Sequence, residues 1–312
     1  MRKLPGLFTL FTAVAMLASV NAAFATPPSG QYSETEYGRA QQVANGKVIA
    51  PTGHDVDSSI LAVAPGGDTG WRTGPGSTAL AVTKGSLKVE QAEGCTSRDL
   101  AAGGALVLAP GKFRLQNTGQ QPVELLANFT GLPHGGATPL ADGPAEAAPP
   151  CAGFGAAAVA SGISTSKSFR GDPSAYFRQE PHAGHGSAYG EYQELSIEAG
   201  KDAFMGTFTL QPGFSTGWFS HTPHVAILTK GSWAFYEARD GKCEKVEEYH
   251  AGDAWVHPVH KHLGAVVGNE PAEITLFGFN MKHGDPAPFF NSQPDHFDFL
   301  YAPPSECPTQ LR

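Results

Sequence analysis

The chain has 312 residues and a formal charge of −8 with no long block of like charge, which argues against a nucleic-acid binder and against a polybasic membrane anchor. Its 38 glycines and 25 prolines favour many short strands and turns over long helices. The length suits roughly two domains, and the expected partners are small molecules or metal ions, with a homo-oligomer left open.

Residues 1–25 read "MRKLPGLFTLFTAVAMLASVNAAFA": a basic start at Arg2 and Lys3, an apolar middle, and Ala23-Phe24-Ala25 ahead of Thr26. That order describes a secretory signal, so the expected location is the periplasm or the extracellular medium. No later stretch has the roughly 18 apolar residues of a membrane span, and no membrane partner is expected. Residues 26–58 read as an N-terminal arm.

Two segments then repeat. "TGWRTGPGSTALAVTKGSLKVEQAEGC" from Thr69 and "TGWFSHTPHVAILTKGSWAFYEARDGKC" from Thr216 align, and Cys95/Cys243, Gly104/Gly252 and Pro110/Pro258 each lie 148 positions apart. Offsets that drift by only one or two residues indicate a duplicated unit. Within each copy short alternating runs stop at turn residues, as in Leu80 and Val82 before Gly85, or Val225 and Ile227 before Gly231. Period-two alternation with frequent punctuation predicts antiparallel strands closed into one small β-barrel per copy, an all-β protein. Between the copies, 135–162 is rich in Ala, Gly and Pro and reads as a connective linker, with room for one short helix in "FGAAAVASG".

In an exported chain four cysteines suggest disulfides, and the duplication favours Cys95–Cys151 and Cys243–Cys307 over a soft metal site, although three pairings are open. The 12 histidines are uneven: two fall in the first 150 residues and six lie between His221 and His262. The second copy therefore has a local need for imidazole.

"PGFSTGWFSHTPH", "TKGSW" and "AGDAWVHPVHKHLGAVVGN" resemble the two motifs of the cupin superfamily. The resemblance implies two antiparallel jelly-roll barrels, a bicupin, at 59–134 and 186–283, with 135–185 as linker and loop and 284–312 as a tail. It implies a metal site in the second barrel held by His221, His224 and His262, with His260 as a fourth candidate. Phe219 stands where the family's first histidine is expected, and His224 where it often has glutamate. Neutral imidazoles on neighbouring strands can hold a divalent metal and leave positions open for substrate. Copper or zinc is favoured, with iron, nickel and manganese as further candidates. The implied function is an exported metal-dependent oxidoreductase, oxygenase-like, acting on a small organic or sugar-derived molecule; the alternative is a non-enzymatic metal- or ligand-binding bicupin. If His224 is not a ligand it can serve as the base, with Glu237 a further candidate.

The first copy has Arg72, Lys112 and Arg114 where the second has Phe219, His260 and His262, so it is expected to hold no metal and to act as scaffold, an anion site being the weaker reading. His182, His185, His250 and His257 are placed outside the site, His257 because its strand parity is opposite to that of His260 and His262. Phe214, Trp218, Phe219, Trp233 and Trp255 are candidates for an apolar pocket or for plain core. "NFT" at Asn128 is a formal glycosylation acceptor of little weight.

Overall fold

The computed structural model describes residues 28–140, 146–155, 160–174, 192–239, 242–259 and 261–283. Strands dominate. The first copy contains β1 (Tyr32–Gln42), β2 (Gly46–Pro51), β3 (Asp55–Asp68), β4 (Arg72–Gly74), β5 (Thr78–Lys84), β6 (Ser86–Gln91), β7 (Thr96–Ala101), β8 (Gly104–Leu108), β9 (Gly111–Gln116) and β10 (Val123–Leu132). The second contains β11 (Ser161–Gly171), β12 (Tyr192–Ile197), β13 (Asp202–Leu210), β14 (Ser215–Ser220), β15 (His224–Lys230), β16 (Ser232–Arg239), β17 (Lys242–His250), β18 (Ala254–His257), β19 (Lys261–Val266) and β20 (Ala272–Met281).

Each copy packs two four-stranded antiparallel rows face to face. In the first they run β8-β5-β10-β3 and β7-β6-β9-β4; in the second, β18-β15-β20-β13 and β17-β16-β19-β14. The strand orders are the same, so the duplication seen in the motifs extends to the whole pairing scheme. The all-β, two-barrel jelly-roll expectation holds. The turn glycines repeat as well: Gly85 and Gly231 sit at φ 79° and 73° between matching strands, and a Cβ on Gly231 would come 2.4 Å from the Pro271 carbonyl oxygen. Glycine is required there for both handedness and space.

The arm and the linker do more than connect. β1, which precedes the first barrel, pairs along its length with β13 of the second, from Tyr32↔Leu210 to Gln41↔Asp202. β11, from the segment read as linker, pairs with β3 of the first barrel, from Ser161↔Asp68 to Gly171↔Val56. The two barrels therefore exchange a strand in each direction, and β2 of the arm pairs with β12, at the start of the second barrel's range, in a further ribbon. The connective reading of the linker is corrected. Its sequence hid the strand because β11 is polar on its outer face, "SGISTSKSFRG", with only Gly171 fully buried. Residues 156–159 of the anticipated short helix lie outside the described residues.

Burial explains the runs. In β5, Leu80 and Val82 fill the first barrel while Ala79 and Ala81 face the seam between barrels. In β15, Ala226 and Leu228 fill the second barrel while Val225 and Ile227 face that seam. Both faces are covered, which is why these strands read as near-continuous apolar stretches. A disulfide joins Cys95 to Cys151, as the duplication suggested. Cys243 is also disulfide-bonded, and Cys307 lies outside the described residues. Asn128 is fully buried, and its amide donates to Asp57 O and Ser58 Oγ, so its role is in the sheet.

Candidate metal centre

The site forms where three elements meet inside the second barrel. His221 follows β14, His224 opens β15, and His257 closes β18 directly across from His224 in the ladder. One ligand nitrogen from each lies within 4.8 Å of the others. His262 on β19 completes the group, its ring centroid 4.7 Å from His221 and 5.6 Å from His257. All four are buried.

Sequence reasoning thus placed His221, His224 and His262 together and missed His257. The parity count ran from 257 to 262 as if along one strand, whereas β18 ends at His257 and β19 begins at Lys261. Within β18, Trp255 points into the barrel, and His257, two residues on, shares its face. That tryptophan was the signal available in the sequence. His260, His182 and His185 lie outside the described residues. His250 is at the surface beside Glu248 and Asp253, as expected.

Hydrogen bonds fix the imidazoles. His221 Nδ1 and His224 Nδ1 lie 2.9 and 3.0 Å from the Thr222 carbonyl oxygen. A carbonyl only accepts, so both Nδ1 atoms carry the proton and each Nε2 keeps its lone pair. His257 Nε2 lies 3.1 Å from Glu247 Oε2, which also accepts from Tyr249 Oη at 2.8 Å. The proton therefore sits on His257 Nε2, and Nδ1 is left as the donor atom. Glu247, 3% exposed, was not anticipated; it orients a ring in the manner of the carboxylates that back metal-bound histidines. The Trp255 indole N–H donates to His224 Nε2 at 3.1 Å, a bond that a metal on His224 would replace. Burial, and then the neighbouring His224 and His257, push His221 well below its ordinary 6.5, so it is neutral at physiological pH. Imidazoles held in this way, each with one ring nitrogen left for a ligand bond, are the donor set that zinc, copper, nickel or iron takes, and His221, His224 and His257 fit such an ion.

The cluster opens onto a cavity of about 40 Å³. Phe219, Trp233 and Trp255 line it, while Phe214 and Trp218 pack elsewhere in the core. Phe219, in the place of a ligand, stands 5.0 Å from the His262 ring, and Phe235 stacks on His262 at 4.1 Å. Glu237, the further candidate base, is buried and does not line the cavity.

The first barrel spends its cations on itself. Arg114 donates through Nε to Asp68 Oδ1 at 2.9 Å and lies 3.6 Å from Glu90; Lys112 meets Glu146 at 3.3 Å; Arg72 Nε donates to Thr69 O at 2.9 Å. Burial raises the Asp68 carboxyl, but Arg114, the Gly70 N–H and Gln116 outweigh it and hold the group below the ordinary range. These pairings fit a scaffold.

Fold and site define a two-barrel, jelly-roll protein with a buried histidine cluster in its second barrel. No protein-family model and no curated protein matches the chain. Among solved structures it is similar to a tryptophan-to-tyrosine variant of oxalate decarboxylase from Bacillus subtilis, at 14% identity and a TM-score of 0.32, over 81% of this chain and 78% of that one. It is also similar to the same enzyme at pH 4.6, with 14% identity, a TM-score of 0.32 and 81% and 77% covered. A third, from a study of that enzyme's Mn(II) centres, has 13% identity, a TM-score of 0.32 and 81% and 78% covered.

Proposed function

We propose that this chain is an exported, metal-dependent oxidoreductase whose centre is held by His221, His224 and His257, with His262 beside them. The observation that carries the reading is the convergence of three buried imidazoles within 4.8 Å, each with its remote nitrogen committed to a carbonyl or a carboxylate. Bound there, a divalent ion supplies Lewis acidity and a coordination position for a small reactant. The protein's own groups keep His221 neutral, hold the rings by hydrogen bonds and bury the centre.

Donor chemistry favours zinc, copper, iron or nickel over manganese, because Glu247 is committed to His257 and Tyr249 and the set is otherwise all imidazole. The signal-like residues 1–25 support export. A second reading, a non-enzymatic metal binder, draws support from His262: a fourth imidazole 4.7 Å from His221 can close the coordination.

The test is elemental analysis of the purified protein beside His257→Ala and His221→Ala. About one metal per chain, lost in both variants, supports the centre. Equal metal in all three, or none after loading, removes it. Water-exchange relaxation of a copper-loaded sample then separates an open, reactive site from a closed one.

A further inference from the structure

The cavity below the imidazoles has walls of one kind. Beyond the histidines it is bounded by Phe208, Leu210, Phe235, Ile274 and Leu276 with the tryptophans, and among the described residues no Lys, Arg, Asp or Glu lines it. Thr216 is polar in name only, since its hydroxyl donates to Gly217 O and accepts from Gly264 N, both at 2.8 Å. The Trp233 indole N–H, buried at the wall, has no acceptor among the described residues. At about 40 Å³ the space exceeds that of one water and falls far below the roughly 150 Å³ of an apolar cavity that takes benzene.

We propose that this cavity is a pocket for a neutral ligand of two or three heavy atoms, apolar in body and offering at most one acceptor to Trp233, and that it rejects carboxylates. The proposal deepens, and rests on, the reading of the cluster as a reactive centre. A reactant entering there meets polar atoms only at the imidazole end and at the Trp233 indole N–H. Dioxygen and other neutral diatomics meet that description. A dicarboxylate such as oxalate would bury its second charge against phenyl and leucyl carbon with no counter-charge. A sugar would leave its hydroxyls without partners.

The pocket is testable without metal. Crystals of the metal-free protein under xenon pressure are expected to show one xenon between Phe208, Trp233 and Leu276, and a perturbed ¹²⁹Xe resonance in solution. Leu276→Phe or, should that variant not fold, Ile274→Phe is expected to abolish both signals while leaving the near-ultraviolet circular dichroism of the protein native. A cavity filled by ordered water with no xenon in it overturns the proposal. So does calorimetric binding of oxalate at micromolar concentration to protein loaded with zinc or copper, where no heat is expected even at millimolar oxalate. Should no metal be taken up, the metalloenzyme reading fails while the xenon result still decides the character of the pocket.

Discussion

Arg114 shows how a single position separates the two barrels. It aligns with His262, yet it is buried against Asp68 and Glu90 where its counterpart joins the imidazoles. Removing one member of a buried pair strands the other charge, so Arg114→Leu is expected to cost about 3 kcal/mol in urea unfolding with metal content unchanged. Parallel loss of metal would show that the first barrel supports the centre. A second residue-scale feature is repeated: His134 Nδ1 meets Asp55 Oδ1 at 2.9 Å, and His283 Nδ1 meets Asp202 Oδ1 at 2.8 Å, at matching places in the two copies. Burial raises the Asp55 carboxyl, but Arg170, His134 and the Gly135 N–H outweigh it and hold it below 3.8. A depressed carboxyl stabilises the fold above its unfolded value and loses that contribution as pH falls through the folded one. Asp55→Asn is therefore expected to be less stable than the parent at neutral pH, with the gap closing below 3.8 in an unfolding series on acidification. The His134 imidazole is raised above 6.5 by the same contact, so its contribution is present below 6.5 and fades as pH rises through the folded value. A gap that widened as pH fell below 3.8 would contradict this account.

At the scale of elements, β19 and β16 set the depth of the cavity. Gly264 lies across from Phe235, and a Cβ on it would fall 2.1 Å from Trp233 Cζ2. No rotation of a buried indole in so tight a space accommodates that overlap without moving the ring. Gly264→Ala is expected to destabilise the protein by about 1–3 kcal/mol and to shift the fluorescence of the buried tryptophans; an unperturbed spectrum with native stability would refute the packing described. This level also shows what was readable. The glycine, the histidines after β14 and at the start of β15 and the proline after β18 stood out because turns and ligands constrain residue type. The inward face of His257 did not, because parity restarts wherever a turn separates two strands.

For the whole molecule, the exchanged strands make the two copies one folding unit. β13 of the second barrel takes β1 as its partner, and β3 of the first takes β11. A chain beginning after Gln42 would expose the β13 edge and leave the seam residue Ala40 without a replacement. Such a truncation is expected to lower the melting temperature and to make the second barrel the first target of limited proteolysis. Melting and cleavage equal to those of the full chain would show that each barrel stands alone.

The sequence by itself determined the all-β class and the duplication and favoured the Cys95–Cys151 pairing, because alternation and repeat offsets are local or periodic properties; three of the four clustered histidines were what its resemblance to the cupin motifs implied. Only the tertiary structure decided the strand exchange, the entry of His257 with Glu247 behind it, and the apolar floor of the cavity. These depend on which polar-looking strand pairs with which distant edge, and on where parity restarts after a turn.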